Sequence, residues 1–304
     1  MPNTLCHIAL QGWPHRVFFS NQGLLWVIIG CIIPDIPWII LRISLALGLA
    51  DPYVLRLYTT IQASLFFCIL AAALLALFAA WPLRTFTILS GNCLLHLLLD
   101  ATQIKFANGI HLAAPLDWTA LHFNLTRMEH PLGLPITAAG LLLLFRYWPE
   151  INRQRLWPST IGPARVLAAT ACLLLYLIGP LPFIDDLKQT DFHFLQTLQD
   201  KSARTGKYVE FDRVAFDHRL QGIRIFSGEQ IRLAGKTPAR SGTISVQGRF
   251  IAPDVVRATQ FQLHGKSRDF ASIAGIFLAC LLTVQTVILS RFRSTIATEE
   301  RDHA

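Results

Sequence analysis

Long apolar stretches separated by short polar or basic joints fill the first 184 positions of the chain and return once near its end. Six of them, 23–50, 61–81, 85–101, 131–148, 164–184 and 270–289, approach the roughly 20 residues a helix needs to cross a bilayer. The first is interrupted by Pro34, Asp35, Pro37 and Arg42; the second is the cleanest; the third carries polar residues at regular intervals. Between 185 and 269 the period changes. GKYVEFDRVAFD (206–217), GIRIF (222–226), EQIRLAG (229–235), GTISVQGRF (242–250) and TQFQLHG (259–265) alternate apolar and polar residues between Gly, Pro and Ser, which predicts about five short strands. The stretch just before them, DDLKQTDFHFLQTLQDKSART, is polar and reads as partly helical. The expected fold is an α-helical polytopic membrane protein of about six membrane segments, with a small all-β, OB-like extracytoplasmic domain inserted before the last membrane helix. A small sandwich and an open sheet are the alternatives for the β region. The expected domains are 1–184, a membrane helical domain with a metal site; 185–269, the β-rich domain; and 270–304, the last membrane helix and a cytoplasmic tail.

Composition supports lipid as the solvent. Of 304 residues, 53% are hydrophobic and 15% charged, against about 25% charged in soluble domains, and the mean hydropathy is +0.44. Cys6, Cys31, Cys68, Cys93, Cys172 and Cys280 all lie in or beside apolar segments, and no CxxC occurs. That pattern argues against a disulfide framework or a cysteine zinc site. The first residues lack a basic stretch, and His7, Gln11, His15 and Arg16 interrupt any early apolar run, so no cleavable signal peptide is expected. Arg146, Arg153, Arg155 and Arg165 in one joint, and the RFR (291–293) that opens the tail, place both on the cytoplasmic side. Region 185–269 then lies across the membrane, in the periplasm if the cell is bacterial. The net charge of +8 comes mainly from the second half. It accompanies no nucleic-acid motif, so nucleic acid is not an expected partner. Membrane lipids are, together with an envelope protein docking on 185–269.

The chemistry concentrates in GNCLLHLLLDATQ (91–103). Helix positions four apart share a face, so Asn92, His96 and Asp100 form one polar stripe that Gln103 extends. Ionisable groups at membrane depth are costly and mark function by default. Asp35, between two prolines that disrupt a helix, can turn a second carboxylate inward. Histidine with carboxylate suits a borderline or hard divalent ion, although an intrahelical hydrogen bond explains the His96–Asp100 pair alone equally well. Further polar positions are His7 and His15; Thr59, Thr60, Gln62 and Ser64; Asn108, His111 and Asp117; and Glu129 and His130. His111, His122 and His130 fall in an interfacial loop and are expected at the solvated surface.

GCIIPDIPW, LLHLLLDATQ and NGIHLAAPLDW together resemble the bacterial membrane-bound metal-dependent hydrolase family, also described as LexA-regulated inner-membrane hydrolases, over about residues 4–135. The resemblance implies an inner-membrane location and a metal site at His7, Asp35, His96 and Asp100, with Gly109 and Pro115 in the loop that follows. A THS element of the family reads TIQAS here, with Gln62 where a histidine would stand, and no HR pair precedes it; Arg56 is the nearest basic residue. Gln62, Asn92 and Gln103 are then supporting polar residues, and no catalytic residue is assigned. The implied cofactor is a divalent metal, zinc among the candidates. The implied activity is metal-dependent hydrolysis of a lipid or amphipathic substrate. The competing readings are a non-catalytic scaffold or partner-docking protein with a degenerate metal site, and a transporter. A transporter fits less well, because the polar residues cluster in the first half and no internal repeat is evident.

The arginine joint generates a test of sidedness. In a cysteine-free background, a membrane-impermeant maleimide is expected to label a cysteine at Ser241 in intact spheroplasts and one at Ser159 only after lysis. Labelling of both from one side overturns the orientation.

Overall fold

The computed structural model describes residues 3–19, 23–127, 130–154, 156–158 and 161–302, without the side chains of residue 19 and of 291–302. Glu129, Arg155, Ser159 and the RFR side chains of the tail lie outside the described residues. The helical part comprises α1 (Thr4–Phe19), α2 (Leu24–Gly30), a 3-10 turn (Ile33–Asp35), α3 (Ile36–Leu47), α4 (Pro52–Gln62), α5 (Leu65–Leu77), α6 (Pro82–Ala101), α7 (Gly133–Ile151) and α8 (Pro163–Ile178). Short helices α9 (Ile184–Gln189) and α10 (Leu195–Gln199) lead into five strands, and α11 (Ser267–Asp302) follows them. Between α6 and α7, β1 (Gln103–Ile104) and β2 (Thr126–Arg127) pair in parallel.

Prolines open α4, α6 and α8 at their first turns, where the missing N–H is no loss and the fixed φ suits the helix. Asp51 caps α4, accepting from the N–H groups of Tyr53 and Val54 at 3.0 and 2.9 Å. The bundle core is assembled from Leu5 and Ile8 of α1, Leu24, Leu25 and Ile28 of α2, Leu143 and Leu144 of α7 and Leu282 of α11. A second cluster joins Ile33, Cys68, Ala72, Leu89 and Cys93 across the 3-10 turn, α5 and α6.

The expectation of six membrane segments is corrected. Among the described residues, three stretches are long and apolar enough to cross a membrane, Leu24–Leu47, Pro163–Gln189 and Ser267–Ser290, or four if the bent pair α4–α5 counts as one span. The run 61–81, the cleanest in sequence, is not one helix: the chain bends by 69° between α4 and α5, because Ser64 takes an extended conformation. The run 85–101 falls within α6, whose Arg84, Asn92, His96 and Asp100 dilute its apolar character; the last three are buried. The run 131–148 becomes α7, which ends in the polar and aromatic RYWPEI. By contrast α8 and α11 keep outward apolar faces, with Leu167, Leu174, Phe270, Ile273 and Phe277 exposed. The C-terminal end of α7 meets the middle of α11, where Thr286 Oγ1 donates to Asn152 Oδ1 at 2.7 Å.

The β region is β3 (Tyr208–Asp217), β4 (Gly222–Arg224), β5 (Gln230–Gly235), β6 (Gly242–Ala252) and β7 (Val255–His264). They close into a barrel in the order β3-β4-β5-β7-β6, which fits the OB-like expectation. β5 and β7 pair in parallel and the other neighbours antiparallel. β7 starts four residues before the 259 read from the sequence, because residues 255–258 pair with β5. Alternating Val209, Phe211, Ile231, Leu233, Ile244, Val246 and Val256 fill the interior. β3 bulges between Phe211 and Val214, with Arg213 at φ 51°. A bulge with a non-glycine residue at positive φ bends the strand and re-aims its side chains.

Arg204 ties the lead-in segment to the barrel. Its side chain is fully buried. It donates to Glu229 Oε1 and Oε2 at 2.7 and 2.8 Å, to the Pro253 carbonyl at 2.8 Å, to the Thr197 carbonyl at 3.3 Å and to the Leu198 carbonyl. The guanidinium holds the Glu229 carboxyl below its ordinary value of 4.5. Removing one partner of a buried pair costs about 3–5 kcal/mol, so Arg204→Met is expected to lower stability by about that much in a denaturation series in mild detergent. Arg232→Met, which removes an exposed pair with Asp254, should cost less than about 1 kcal/mol. Because the folded pKa of Glu229 is depressed, its contribution is present above pH 4.5 and is lost as pH falls through the lowered value. The difference between wild type and Arg204→Met should therefore narrow in acid.

Candidate metal centre

Four residues far apart in sequence converge at the C-terminal end of α6. His7 comes from α1, Asp35 from the start of α3, and His96 and Asp100 from α6. His7, His96 and Asp100 are fully buried, and one ligand atom from each lies within 4.8 Å of the others. His7 Nε2 is 3.4 Å from Asp100 Oδ1, and His96 Nε2 is 3.7 Å from Asp35 Oδ1 and 3.9 Å from Asp100 Oδ2. The two imidazoles stack with centroids 3.8 Å apart and planes 5° from parallel.

The local sequence explains each placement. Gly30 lets α2 lie against α6: a methyl group there would sit 2.8 Å from Asn92 Cβ and 3.2 Å from the Leu89 carbonyl oxygen. That approach brings the Cys31 carbonyl to 2.6 Å from His96 Nδ1. A carbonyl only accepts, so Nδ1 carries the hydrogen, and Nε2 is the nitrogen turned toward two carboxylates. Asp35 occupies the N-cap position of α3, where a carboxylate ordinarily accepts backbone N–H bonds. It makes no such bond and faces His96 instead. Asp100 sits in the last turn of α6, the negative end of the helix dipole, where an anion is disfavoured. Lys105 Nζ, 3.2 Å from Asp100 Oδ2, offsets this in part.

His7 has the same four-residue spacing to Gln11 that His96 has to Asp100. The Gln11 amide lies 3.5 Å from His7 Nδ1 and can offer either its NH₂ or its oxygen. Gln11 Oε1 and His7 Nε2 are both buried and without a hydrogen-bond partner, as are His96 Nε2 and Asp100 Oδ1. With the oxygen turned to Nδ1–H, Gln11 is satisfied and Nε2 presents a lone pair to the cluster. Buried unpartnered polar atoms are rare and costly. Here they are an arrangement of acceptors around one point, and a cation satisfies them all. Tetrahedral ligands about 2.0–2.1 Å from zinc lie roughly 3.3–3.4 Å apart, close to the His7–Asp100 separation. The donor set fits a divalent ion.

The structure brings His7, Asp35, His96 and Asp100 together and keeps the supporting residues apart from them. Gln62 is corrected: its NH₂ donates to the Tyr58 hydroxyl and to the Tyr176 carbonyl, both at 3.2 Å, because the α4–α5 bend points it at α8. Asn92 is buried on the expected stripe, but donates to the Ile88 carbonyl of its own helix at 2.7 Å. Gln103 is buried in β1, with its oxygen unpartnered. His111 is not at the surface as expected; it is buried against Phe192 at 4.2 Å. Sequence reasoning missed Lys105 and the Cys31 carbonyl, which carry no side-chain signal, and Gln11, whose spacing was legible.

No protein-family model matches the chain, and no curated protein or solved structure matches it. The geometry therefore carries the site by itself.

Two substitutions separate this centre from its surroundings. Gln62→His is expected to leave bound zinc unchanged, because position 62 faces Tyr58 and Tyr176. Gly30→Ala should weaken zinc binding about 10–100-fold, the usual effect of disturbing a partner that orients a ligating histidine, as measured by competition with a chromogenic chelator. A gain of zinc in Gln62→His places that residue back in the site.

Proposed function

We propose that the chain is a membrane-embedded, metal-dependent hydrolase, with His7, His96 and Asp100 holding a divalent ion, zinc among the candidates, and Asp35 beside His96. The observation that carries the reading is the set of buried, unpartnered acceptor atoms of two histidines and a carboxylate around one point. The motif resemblance over residues 4–135 points the same way. The outward apolar faces of α8 and α11 support a place in the membrane, since apolar surface on that scale is rarely left to water. We assign the barrel to the periplasmic side of a bacterial inner membrane.

When bound, the ion lowers the pKa of a water and polarises a carbonyl or phosphoryl oxygen. The protein's residues do the rest. The Cys31 carbonyl fixes the His96 tautomer. Gln11 orients His7. Asp35, with its side chain 15% exposed, keeps one oxygen free to take a proton from water. Burial of the other three excludes bulk water from the ligand shell. The substrate on this reading is a membrane-resident amphiphile.

A second reading, a non-catalytic membrane scaffold with a polar cluster, is favoured by Lys105, whose ammonium already neutralises Asp100 at 3.2 Å. Zinc analysis of protein purified in mild detergent separates the two. The expected result is close to one zinc per chain, lost in His96→Ala and Asp100→Asn. Asp35→Asn should retain most of the zinc but lower hydrolysis of a p-nitrophenyl phosphodiester or ester about 10²–10⁴-fold. Folded wild type that binds no zinc overturns the hydrolase reading in favour of the scaffold.

A further inference from the structure

A cavity of about 410 Å³ lies between the helices and the barrel and reaches Asp100. One wall is apolar: Pro34, Trp38, Leu41 and Leu45 line it at intervals of four, three and four, a single stripe along α3. The rest is strongly cationic. Arg42, Arg56, Lys105, Arg213, Arg224 and Arg268 line the cavity and outnumber its carboxylates, Asp100, Glu210 and Asp212, two to one. Those carboxylates are already engaged, by Lys105 at 3.2 Å, by the Ala107 N–H at 2.6 Å and by the Ser245 hydroxyl at 2.7 Å.

Several donors lining the same cavity have no partner. Arg56 Nη2 lies 3.1 Å from His193 Nδ1. A guanidinium only donates, so Nδ1 accepts and the hydrogen of His193 resides on Nε2. That N–H is buried and unpartnered, as are Arg56 Nε and Arg213 Nη1. Neither arginine is placed by chance. Arg56 is held over the Phe226 ring at 4.7 Å. Arg213 sits on the β3 bulge, with its other terminal nitrogen on both oxygens of Asp269 at 2.7 Å. Asp269 pairs Arg213 and lies 3.8 Å from Arg268, and Lys105 is taken by Asp100; the three buried donors, with Arg42, Arg56 and Arg224 on the same lining, call for an anionic acceptor with several oxygens. The apolar α3 stripe calls for a chain attached to it.

We propose that this cavity binds a phosphate-bearing amphiphile, its phosphate held by Arg56, Arg213 and the His193 Nε2–H and its acyl chain laid along Trp38, Leu41 and Leu45. The assignment rests on the hydrolase reading in one respect only: because the cavity reaches Asp100, the bound lipid is the substrate class of that centre. Arginine suits the role, since its planar fork matches phosphate oxygens.

The test uses the full chain as purified in mild neutral detergent, with zinc measured on the same sample and bound lipid counted by native mass spectrometry. The probes are phosphatidylglycerol, diacylglycerol with the same chains, and sn-glycerol 3-phosphate. Phosphatidylglycerol should bind at least tenfold more tightly than either of the others. Arg56→Gln should weaken it tenfold or more, and Arg56→Lys less. Arg42→Gln combined with Arg224→Gln, at exposed positions that leave folding intact, should weaken it severalfold. Diacylglycerol binding as well as phosphatidylglycerol shows that the phosphate is not read and overturns the proposal. Glycerol 3-phosphate binding as well assigns the cavity to a soluble phosphate and also overturns it, as does lipid binding indifferent to all three arginine variants. Selective phosphatidylglycerol binding in protein without zinc upholds the lipid site and removes the hydrolase reading alone. Zinc bound without phosphate selectivity does the reverse.

Discussion

The hydrogen bond from His96 Nδ1 to the Cys31 carbonyl, 2.6 Å long and buried, sets the terms for the rest of the helical region. It requires α2 to touch α6, which Gly30 permits. It requires the chain to turn directly after Cys31, which Pro34 and Pro37 enforce, and that turn delivers Asp35 to the same imidazole. Once Nδ1 is committed, Nε2 is the nitrogen left to face Asp35 and Asp100. Carboxylates in a buried place are unfavourable without a donor or a positive charge beside them. The packing of apolar helices thus creates an electrostatic demand that hydrophobic burial alone would never produce. Lys105 answers part of it from outside the cluster, and His7, His96 and Asp100 lie close enough together to hold a metal ion.

The barrel adds a second half to the same place. Its β3 bulge turns Arg213 toward the helices, and Glu210 of the same strand accepts the Ala107 N–H from the loop after α6 at 2.6 Å. Tyr53 and Leu57 of α4 pack under the barrel and its lead-in helices, and the Tyr53 hydroxyl donates to the Leu198 carbonyl at 3.3 Å. The cavity therefore has one wall from α3 and another from β3. Its charge comes from both, and its floor reaches Asp100. The His–Asp cluster and the basic cavity are neighbours, since Asp100 belongs to both.

Period and spacing alone made much of this legible. The period-two alternation that begins at about residue 206 marks the first barrel strand, Tyr208–Asp217, because side-chain direction in a strand repeats every two residues whatever the fold around it. The four-residue interval from Asn92 through Asp100 gave one helix face for a similar local reason, and all three residues are buried on it. What failed was everything that depended on where a run of suitable residues stops being one helix. The run 61–81 is uniformly apolar, and nothing in its composition marks the bend at Ser64, which carries Gln62 to Tyr58 and Tyr176. Apolar character likewise could not distinguish α6, which turns its polar stripe inward, from α11, which turns its apolar surface outward.

The sequence by itself determined the local periods, the presence of costly charges in apolar surroundings, and four of the residues that meet. Those are properties of a chain segment and its solvent. Only the tertiary structure decided that His7 stacks on His96, that a backbone carbonyl chooses the imidazole tautomer, that Lys105 reaches Asp100, and that Arg56 and Arg213 share one cavity though they lie in different domains. Lys105 and Asp100 are five positions apart, but the other contacts join segments separated by 65 to 157 positions in the chain. They are fixed by which faces pack and how closely, and no local pattern of residues encodes them.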